Sequence, residues 1–500
     1  MWSEDRSLAI NGGPVVRSKP WLDNLTIGEE EKQAALRVLD DGHLSLFEGS
    51  NTPEPPFSFW GGPMVQRLEQ AWAAYYGARY AVSMNSATSG LIAAVGALGI
   101  GYGDEVIVSP LTMSAAASCA LFYGAIPIFA DVQLATGCLD PASVEAHVTE
   151  RTRAVIVVHQ FGIPADLDPI LTACRARGIH MIEDCAQAHG ASYLGHPVGT
   201  LGDIGVFSLN VNKTIQTGEG GVCVTNDGGL RQRLALIRNH AEAVIDPEAI
   251  QALTNMIGFN FRLTEIAAAM AIEQLKKLDR LNAIRLSYVE ALSKALARYA
   301  FLIPPPLCAH AAFGDDGCGR CRSTYYVYAL RYRPDRLGLA RSMFAQAMNA
   351  EGMKWYEGYG RPLYLQPLYQ QKHAFKHGYP FAAPVNQAIR TNYHLGACPN
   401  AERLYREELL LNEHVRPPHA LDDVMDLART VEKIARCAAA STLKGSGHEP
   451  GRNRGLEAIP ASPAKNFSSA EASPLRRDEN EASPASPEED SGFAEASHAA

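Results

Sequence analysis

The chain has 500 residues, with 45 Lys and Arg against 54 Asp and Glu, so its formal net charge is −9. Hydrophobic residues make up 47% and charged residues 20% of the sequence, which is typical of a folded globular protein and excludes global disorder. The acidic balance argues against nucleic-acid binding, and the absence of a long apolar run or a signal-like opening argues against a membrane partner. Ten sparse cysteines favour a reduced, cytoplasmic chain.

The first irregular segment, Asp40–Pro63, is rich in Gly, Pro, Ser and aromatic residues. A loop of this length is uncommon unless it has a function, often as a lid or a binding loop. A tolerated surface insertion would have the same composition, so both interpretations stay open.

An apolar helix begins after Asn85 and runs through Ala97. Small hydroxylated residues at its start would expose backbone N–H groups and the positive end of the helix dipole to an anion. Ser86 or Thr88 could equally cap the helix without any ligand.

Residues 65–240 alternate short apolar runs with segments of helical periodicity, which predicts an α/β fold with a mostly parallel sheet covered on both faces. Ligands of such sheets bind at the carboxyl ends of the strands. The predicted helices include Ser114–Tyr123 and Leu167–Arg177. The candidate strands are Glu105–Val108, Ile126–Val132, Ala154–His159, His180–Asp184, Gly205–Leu209 and Val222–Thr225.

Two residues of this region suggest cofactor chemistry. Asp184 ends an apolar strand 29 residues before Lys213, which lies between a strand and a glycine-rich turn. A lysine in such a setting suits a Schiff base, and an aspartate beneath a pyridine ring keeps its nitrogen protonated, as pyridoxal phosphate requires. Singly, each residue has an ordinary explanation, a solvated surface charge or a helix cap, so the combination carries the hypothesis.

A long helix is predicted from about residue 264 to 297, followed by a smaller α+β domain. The boundaries are 1–284 for an N-terminal segment with the large, cofactor-binding domain and 285–444 for the small domain. The elements predicted in the small domain are the strand-like Thr324–Tyr332 and Tyr393–Leu395 and the helices Arg341–Glu351 and Leu421–Ala438.

Residues 445–500 are predicted to be a disordered tail, because their few large apolar residues cannot offset the entropy of ordering. Ten acidic and five basic residues give this segment more than half of the net charge. A role in recruiting a partner stays open.

The chain resembles the DegT/DnrJ/EryC1/StrS family of pyridoxal-phosphate-dependent aminotransferases over about Pro20 to Ala438. The resemblance rests on several motifs in the right order. They are Gly99–Ile107, Ile182–Gly190, Ser208 with Lys213, and Gly258–Glu265. It implies fold type I, with a large mostly parallel domain and a smaller C-terminal domain, and transfer of an amino group to a sugar or a related ketone.

The resemblance also implies a role for each matching position. Lys213 would form the Schiff base to pyridoxal 5′-phosphate and move protons, and Asp184 would pair with the pyridinium nitrogen. Gln187 would contact the phenolic oxygen. Ser208, Ala87 and Thr88 would hold the phosphate. Asn260 would reach the phosphate of the neighbouring subunit's cofactor, with Arg262 nearby, so that a homodimer shares its active sites.

Two positions depart from the family pattern. Met113 stands where an aromatic residue usually covers the cofactor ring, although a thioether can also pack on a ring. The link before Lys213 reads Leu209–Asn212 where a His or Phe with Pro or Ser is commoner. Since some relatives that carry His at the lysine position act as dehydratases, Lys213 favours transamination.

The substrates follow from a subfamily similarity in Leu8–Arg17 and Cys398–Leu404. It favours glutamine or glutamate as the donor and a cyclitol ketone as the acceptor, in secondary metabolism. A nucleotide-linked keto-sugar and a non-catalytic regulator with the same fold are the alternatives. A diphosphate substrate would need cations near the site, for which Arg331, Lys354, Arg361 and His394 are candidates or simply solvated charges.

The remaining candidate ligands give no metal site. The spacing of Cys308, Cys318 and Cys321 matches no established zinc-binding motif, so we interpret them as thiols without a metal-binding role. His159 follows a strand and is interpreted as a hydrogen-bonded structural histidine.

Overall fold

A computed structural model describes residues 6–49, 55–244, 253–306 and 319–445. Its larger sheet has seven strands in the order β1-β9-β8-β5-β4-β2-β3. Strands β3, β2, β4, β5 and β8 pair in parallel, and β9 runs antiparallel between β8 and β1. The strands are β1 Tyr80–Met84, β2 Glu105–Val108, β3 Ile126–Phe129, β4 Thr152–Val158, β5 His180–Asp184, β8 Ile204–Ser208 and β9 Gly221–Thr225, with β6 Ser192–Tyr193 and β7 His196–Pro197 forming a separate hairpin.

Helices cover this sheet, and several of them begin at side-chain caps. Ser86 accepts a hydrogen bond from the Ser89 N–H at the start of α3, and Thr264 does so from the Ala267 N–H at the start of α9. The helices up to this point are α1 Glu29–Asp41, α2 Pro63–Tyr76, α3 Ala87–Ala97, α4 Ala115–Phe122, α5 Pro141–His147, α6 Leu167–Arg177, α7 Gly228–Arg238, α8 Ala241–Val244 and α9 Glu265–Leu296. The α/β fold with a mostly parallel sheet is therefore confirmed.

A second sheet has four antiparallel strands in the order β10-β11-β13-β12. The strands and helices after α9 are β10 Leu302–Ile303, β11 Tyr328–Tyr332, α10 Pro334–Leu337, α11 Arg341–Ala350, β12 Tyr356–Glu357, α12 Pro367–Gln370, α13 Pro399–Arg403, β13 Leu409–Asn412 and α14 Leu421–Gly445. The predicted strand Tyr393–Leu395 is wrong. Tyr393 is buried, and its hydroxyl donates to the Pro127 carbonyl, but the residues that follow it are exposed.

Helix α9 joins two hydrophobic cores. Leu275, Leu278 and Leu281 pack in the core of the larger sheet, whereas Val289 and Leu292 pack in the core of the smaller one. The predicted boundary at residue 285 thus falls inside a continuous helix, where the helix passes from one core to the other. None of the helices in the described ranges combines the length and apolar composition needed to cross a bilayer.

The N-terminal segment, grouped above with the large domain, packs on the second core through Trp21. Trp21 stacks on His414 with 5.0 Å between ring centroids. The Leu22 N–H then donates to Nε2 of His419 at 3.0 Å, and Asn24 Nδ2 donates to the Lys213 carbonyl at 2.7 Å. This segment therefore connects the chain after β13 with the loop after β8.

Burial gives His414 a pH-dependent effect on stability. Desolvation, followed by the charge of Arg416, lowers its pKa from 6.5 to about 3. Between these values the unfolded chain binds a proton that the folded chain excludes, so stability is lost as the pH falls below 6.5. His414→Phe can keep the stack on Trp21 but cannot bind a proton. For each pH unit below 6.5, we expect the free energy of unfolding of this variant to fall by ~1.4 kcal/mol less than that of the wild type. Denaturant unfolding of both proteins at pH 8, 6 and 5 would measure it; parallel pH profiles would contradict it.

Candidate active site

The carboxyl edge of the larger sheet gathers several of the predicted residues. Asp184 ends β5 and Ser208 ends the neighbouring strand β8, and Lys213 lies in the loop that follows. Gly221 begins the antiparallel strand β9 and pairs with Ser208, so it lies at the same edge. The parallel pairing therefore brings together residues that are far apart in the sequence.

Asp184 is buried, with 7% of its surface exposed. Its Oδ1 accepts a hydrogen bond of 3.0 Å from the Ala186 N–H. Burial raises the pKa of Asp184, and the Ala186 N–H and the positive charge of Lys213 offset this only partly. A cationic N–H donor placed against this carboxylate would stabilise its charged form.

The adjacent Glu183 belongs to a different, structural network. Its carboxylate accepts hydrogen bonds from His159 Nε2 and from the N–H groups of Gly199, Leu201 and Gly202 at 2.7–3.0 Å. Burial alone would raise the pKa of Glu183, but these partners outweigh it and lower the pKa. His159 Nδ1 accepts from the Ala165 N–H, so both ring nitrogens have partners, as expected of a structural histidine.

The described residues include one group with metal-ligand chemistry, formed by His159, Glu183 and Cys185. The hydrogen bonds of His159 and Glu183 already occupy the atoms that would bind an ion. Of the three cysteines considered as zinc ligands, Cys308 and Cys318 lie outside the described residues. Cys321 accepts a hydrogen bond from the Leu194 N–H.

Lys213 is half-buried and points its ammonium group at an aromatic ring. Its Nζ lies 4.5 Å from the centroid of the Tyr326 ring, a cation–π contact. The next residue, Thr214, accepts a hydrogen bond of 2.8 Å from Nη1 of the buried Arg285 on α9. Sequence reasoning missed Tyr326 and Arg285, since no local pattern marks a residue that approaches the loop from another element.

The start of α3 lies against the same edge and forms a small cradle. A side chain on Gly221 would place its Cβ 2.5 Å from the Ser86 carbonyl carbon and 2.7 Å from the Ala87 nitrogen. This close approach sets Ser208, on the neighbouring strand, beside the first turn of α3. Thr88 is exposed and Ala87 is half-buried there. A helix N-terminus with adjacent hydroxyls suits a phosphate group.

We therefore expect Gly221→Ala to weaken binding of a phosphate-bearing cofactor by ~10-fold or more, because the first turn of α3 must move to admit the methyl group. Titration of the cofactor-free protein with pyridoxal phosphate, followed by absorbance, would measure the affinity. Gly218→Ala, in the loop just before β9 but with open space around its Cβ, tests backbone strain alone. Equal affinities of Gly221→Ala and the wild type would contradict the assignment.

Gln187 already has partners for both ends of its side chain. Its Oε1 accepts from the Phe161 N–H at 2.8 Å, and its Nε2 donates to the Tyr359 hydroxyl at 3.3 Å. Gly162 explains why these groups are close: a Cβ there would lie 2.9 Å from the Gln187 carbonyl and 2.8 Å from the Tyr326 nitrogen. The amide therefore links the strand edge to the tyrosines near Lys213.

The other predicted cofactor-binding residues lie on an exposed surface. Met113 is 49% exposed. Asn260 is also exposed, and its Oδ1 accepts from Arg262 Nε at 2.8 Å. The backbone of this segment reaches the α3 cradle, because the Asn85 N–H donates to the Phe261 carbonyl at 2.8 Å. Part of the predicted Asp40–Pro63 loop also approaches the Asn260 segment, because Asn239, which pairs with Asn260, donates to the Glu48 carbonyl. Residues 50–54 of this loop lie outside the described residues.

The cations considered for a diphosphate substrate are not gathered into one group. Arg331 is paired with the buried Glu408 at 2.8 Å. Lys354, Arg361 and His394 are exposed. Of these, Lys354 alone shares an electrostatic neighbour with Lys213, namely Glu413.

Known proteins are similar to this chain in sequence and in fold. The chain is 33% identical over 442 residues to the L-glutamine:2-deoxy-scyllo-inosose aminotransferase of Streptoalloteichus tenebrarius, covering 86% of this chain and 97% of that protein. It is also 33% identical over 440 residues to the L-glutamine:scyllo-inosose aminotransferase of Streptomyces griseus, covering 86% and 98%. The solved aminotransferase from Psychrobacter cryohalolentis superposes with a TM-score of 0.68 at 27% identity, covering 84% of this chain and 99% of that one.

Fold and similarity together define a pyridoxal-phosphate-dependent aminotransferase. The model of the DegT/DnrJ/EryC1/StrS aminotransferase family matches residues 57–390, about two thirds of the sequence. The chain belongs to this family.

Proposed function

We propose that this protein transfers the amino group of glutamine to a ketone on a cyclitol ring of the inosose type. The observation that carries the proposal is the placement of Lys213 beside the buried Asp184 at one sheet edge, in a chain whose relatives are named for this reaction. Glutamate as the donor and a keto-sugar as the acceptor are the alternatives within the same chemistry.

The residues of the site fit pyridoxal phosphate. The buried carboxylate of Asp184 suits the ring nitrogen, and the cradle of Ser208, Ala87 and Thr88 suits the phosphate. When bound, the cofactor supplies an electron sink that acidifies the substrate's α-carbon. Lys213 would hold the aldehyde carbon and then carry the proton between the two carbons that exchange the amino group.

We also propose a homodimer with shared active sites. Val211 lies in the lysine loop, Asn260 contacts Asn85 before α3, and Met113 follows the carboxyl end of β2. Each is exposed in the single chain, and two of them have apolar side chains. An exposed apolar surface beside a cofactor site favours coverage by a second copy. Asn260 and Arg262 would then approach the partner's cofactor phosphate. Sedimentation analysis of the purified protein would test this assembly.

The function is tested with purified holoenzyme, glutamine and a panel of ketones. The visible absorbance of the cofactor should shift to the ultraviolet with glutamine and return when scyllo-inosose or 2-deoxy-scyllo-inosose is added. Return only with nucleotide-linked keto-sugars would overturn the cyclitol assignment. Absence of any shift with glutamine or glutamate would favour the non-catalytic regulator.

A further inference from the structure

Two buried arginines, Arg285 and Arg416, lie close to Lys213 without a carboxylate partner. Their exposed fractions are 3% and 8%. Arg285 Nε and Arg416 Nη1 are buried without a hydrogen-bond partner, and within the described ranges neither guanidinium forms an ion pair. We call them the arginine pair. Buried cations of this kind are costly unless an anion reaches them.

Hydrogen bonds fix the pair beside the lysine loop. Arg285 on α9 holds Thr214, the residue after Lys213, at 2.8 Å. Arg416 Nε donates to the Glu413 carbonyl. The segment around Arg416 is tied to α9 because the Tyr288 hydroxyl, one helical turn after Arg285, donates to the His419 carbonyl at 2.8 Å.

The N-terminal segment contacts both the chain around Arg416 and the lysine loop. The Leu22 N–H donates to His419, and Asn24 donates to the Lys213 carbonyl, so three residues of chain connect the segment around Arg416 with the lysine loop. The pair and Lys213 therefore lie in the same region of the protein, with Tyr326 against Lys213.

The charged groups make this region cationic. Burial, and then repulsion by Arg416, lowers the pKa of Arg285 to about 9. Burial also lowers the pKa of Arg416, and Glu413 offsets this only in part. Burial raises the pKa of Glu413 despite its cationic neighbours, which makes it a poor counter-ion for the pair.

We propose that the arginine pair binds the carboxylate of the amino donor and so determines donor specificity. This inference rests on the function proposed above. A planar guanidinium suits a carboxylate, and each of these two buried guanidinium groups has a nitrogen without a hydrogen-bond partner among the described residues. The cofactor phosphate has its own cradle at α3. An uncharged cyclitol would not use the pair, so the pair serves the donor half-reaction alone.

The test measures the two half-reactions of the holoenzyme separately. Arg416→Gln should raise the KM for glutamine by ~10- to 100-fold, as expected for the loss of a hydrogen bond to a charged group, while the rate with scyllo-inosose from the aminated enzyme stays unchanged. Arg416→Lys should restore part of the affinity. Arg280→Gln, which removes an exposed charge from α9, the helix that carries Arg285, is the control and should behave as the wild type.

A binding experiment removes the dependence on turnover. Glutaramate, which is glutamine without its amine, should bind the wild type and Arg280→Gln in calorimetry and bind Arg416→Gln at least ~10-fold more weakly. Unchanged glutamine KM and glutaramate affinity in Arg416→Gln would overturn the inference. An equal loss in both half-reactions, or a loss of cofactor binding in both Arg416 variants, would also overturn it. If the wild type bound glutaramate but aminated no ketone, the proposed function would fail while the carboxylate site stood.

Discussion

Lys213→Ala is expected to abolish amino transfer, with kcat falling by ~10⁴-fold or more, because one side chain supplies both the nucleophile and the proton carrier. The α3 cradle and Asp184 are untouched by this change, so pyridoxal phosphate should still bind, without the absorbance of a protonated Schiff base. Single-turnover absorbance with glutamine, and cofactor retention after gel filtration, measure the two effects separately.

The control for this variant is Lys276→Ala. Lys276 is exposed on α9 and forms an ion pair with Glu273, one turn away, so its loss should leave both half-reactions intact. A small amine such as methylamine should restore part of the proton transfer in Lys213→Ala, because the alanine leaves space next to the Tyr326 ring. If Lys213→Ala converted the cofactor with glutamine at the wild-type rate, Lys213 could not be the Schiff-base residue.

The sheet of this protein could be predicted closely from its sequence because its strands are buried on both faces. Glu105–Val108 and His180–Asp184 form strands with the predicted bounds, since a short apolar run between helices has few other solutions in an α/β fold. The edge strand Tyr80–Met84 was missed, because Ser83 interrupts its apolar run and its burial depends on Glu69 and Arg238, which are distant in sequence.

The smaller domain was harder to predict for a physical reason. Its strands are short and antiparallel, and Leu409–Asn412 follows a helical turn that masks its start. The predicted strand Thr324–Tyr332 forms only from Tyr328, because residues before it turn aside to pack on Gly162 and place Tyr326 against Lys213. That departure from regular pairing supplies one wall of the candidate site.

The candidate site likewise contains residues that could be predicted from the sequence and residues that could not. Residues that end strands, Asp184 and Ser208, are placed by the parallel topology and could be assigned from the order of the elements. The arginine pair could not, since Arg285 lies in the middle of an amphipathic helix and Arg416 in an irregular segment. Only the packing of α9 against both cores brings them together.

Asp184→Asn is expected to reduce kcat by ~10²- to 10³-fold, the range found when one charge-stabilising group is removed from an active site. The amide oxygen can still accept the Ala186 N–H, so the fold and the cradle should be retained, but a neutral side chain cannot hold a proton on the pyridine nitrogen. The rate of conversion with glutamine, and the pH dependence of the cofactor's absorbance, would measure the effect.

Glu183→Gln provides the matched comparison, because the two carboxylates are adjacent in the chain and both buried but have different partners. Glu183 binds three N–H groups and His159, so its replacement should lower the free energy of unfolding by ~1–3 kcal/mol and leave kcat nearly unchanged. Asp184→Asn should lower kcat and leave the free energy of unfolding nearly unchanged. If both variants lost stability and neither lost rate, the carboxyl end of β5 would be structural alone; if Glu183→Gln lost rate as strongly as Asp184→Asn, the division of roles between the two carboxylates would be wrong.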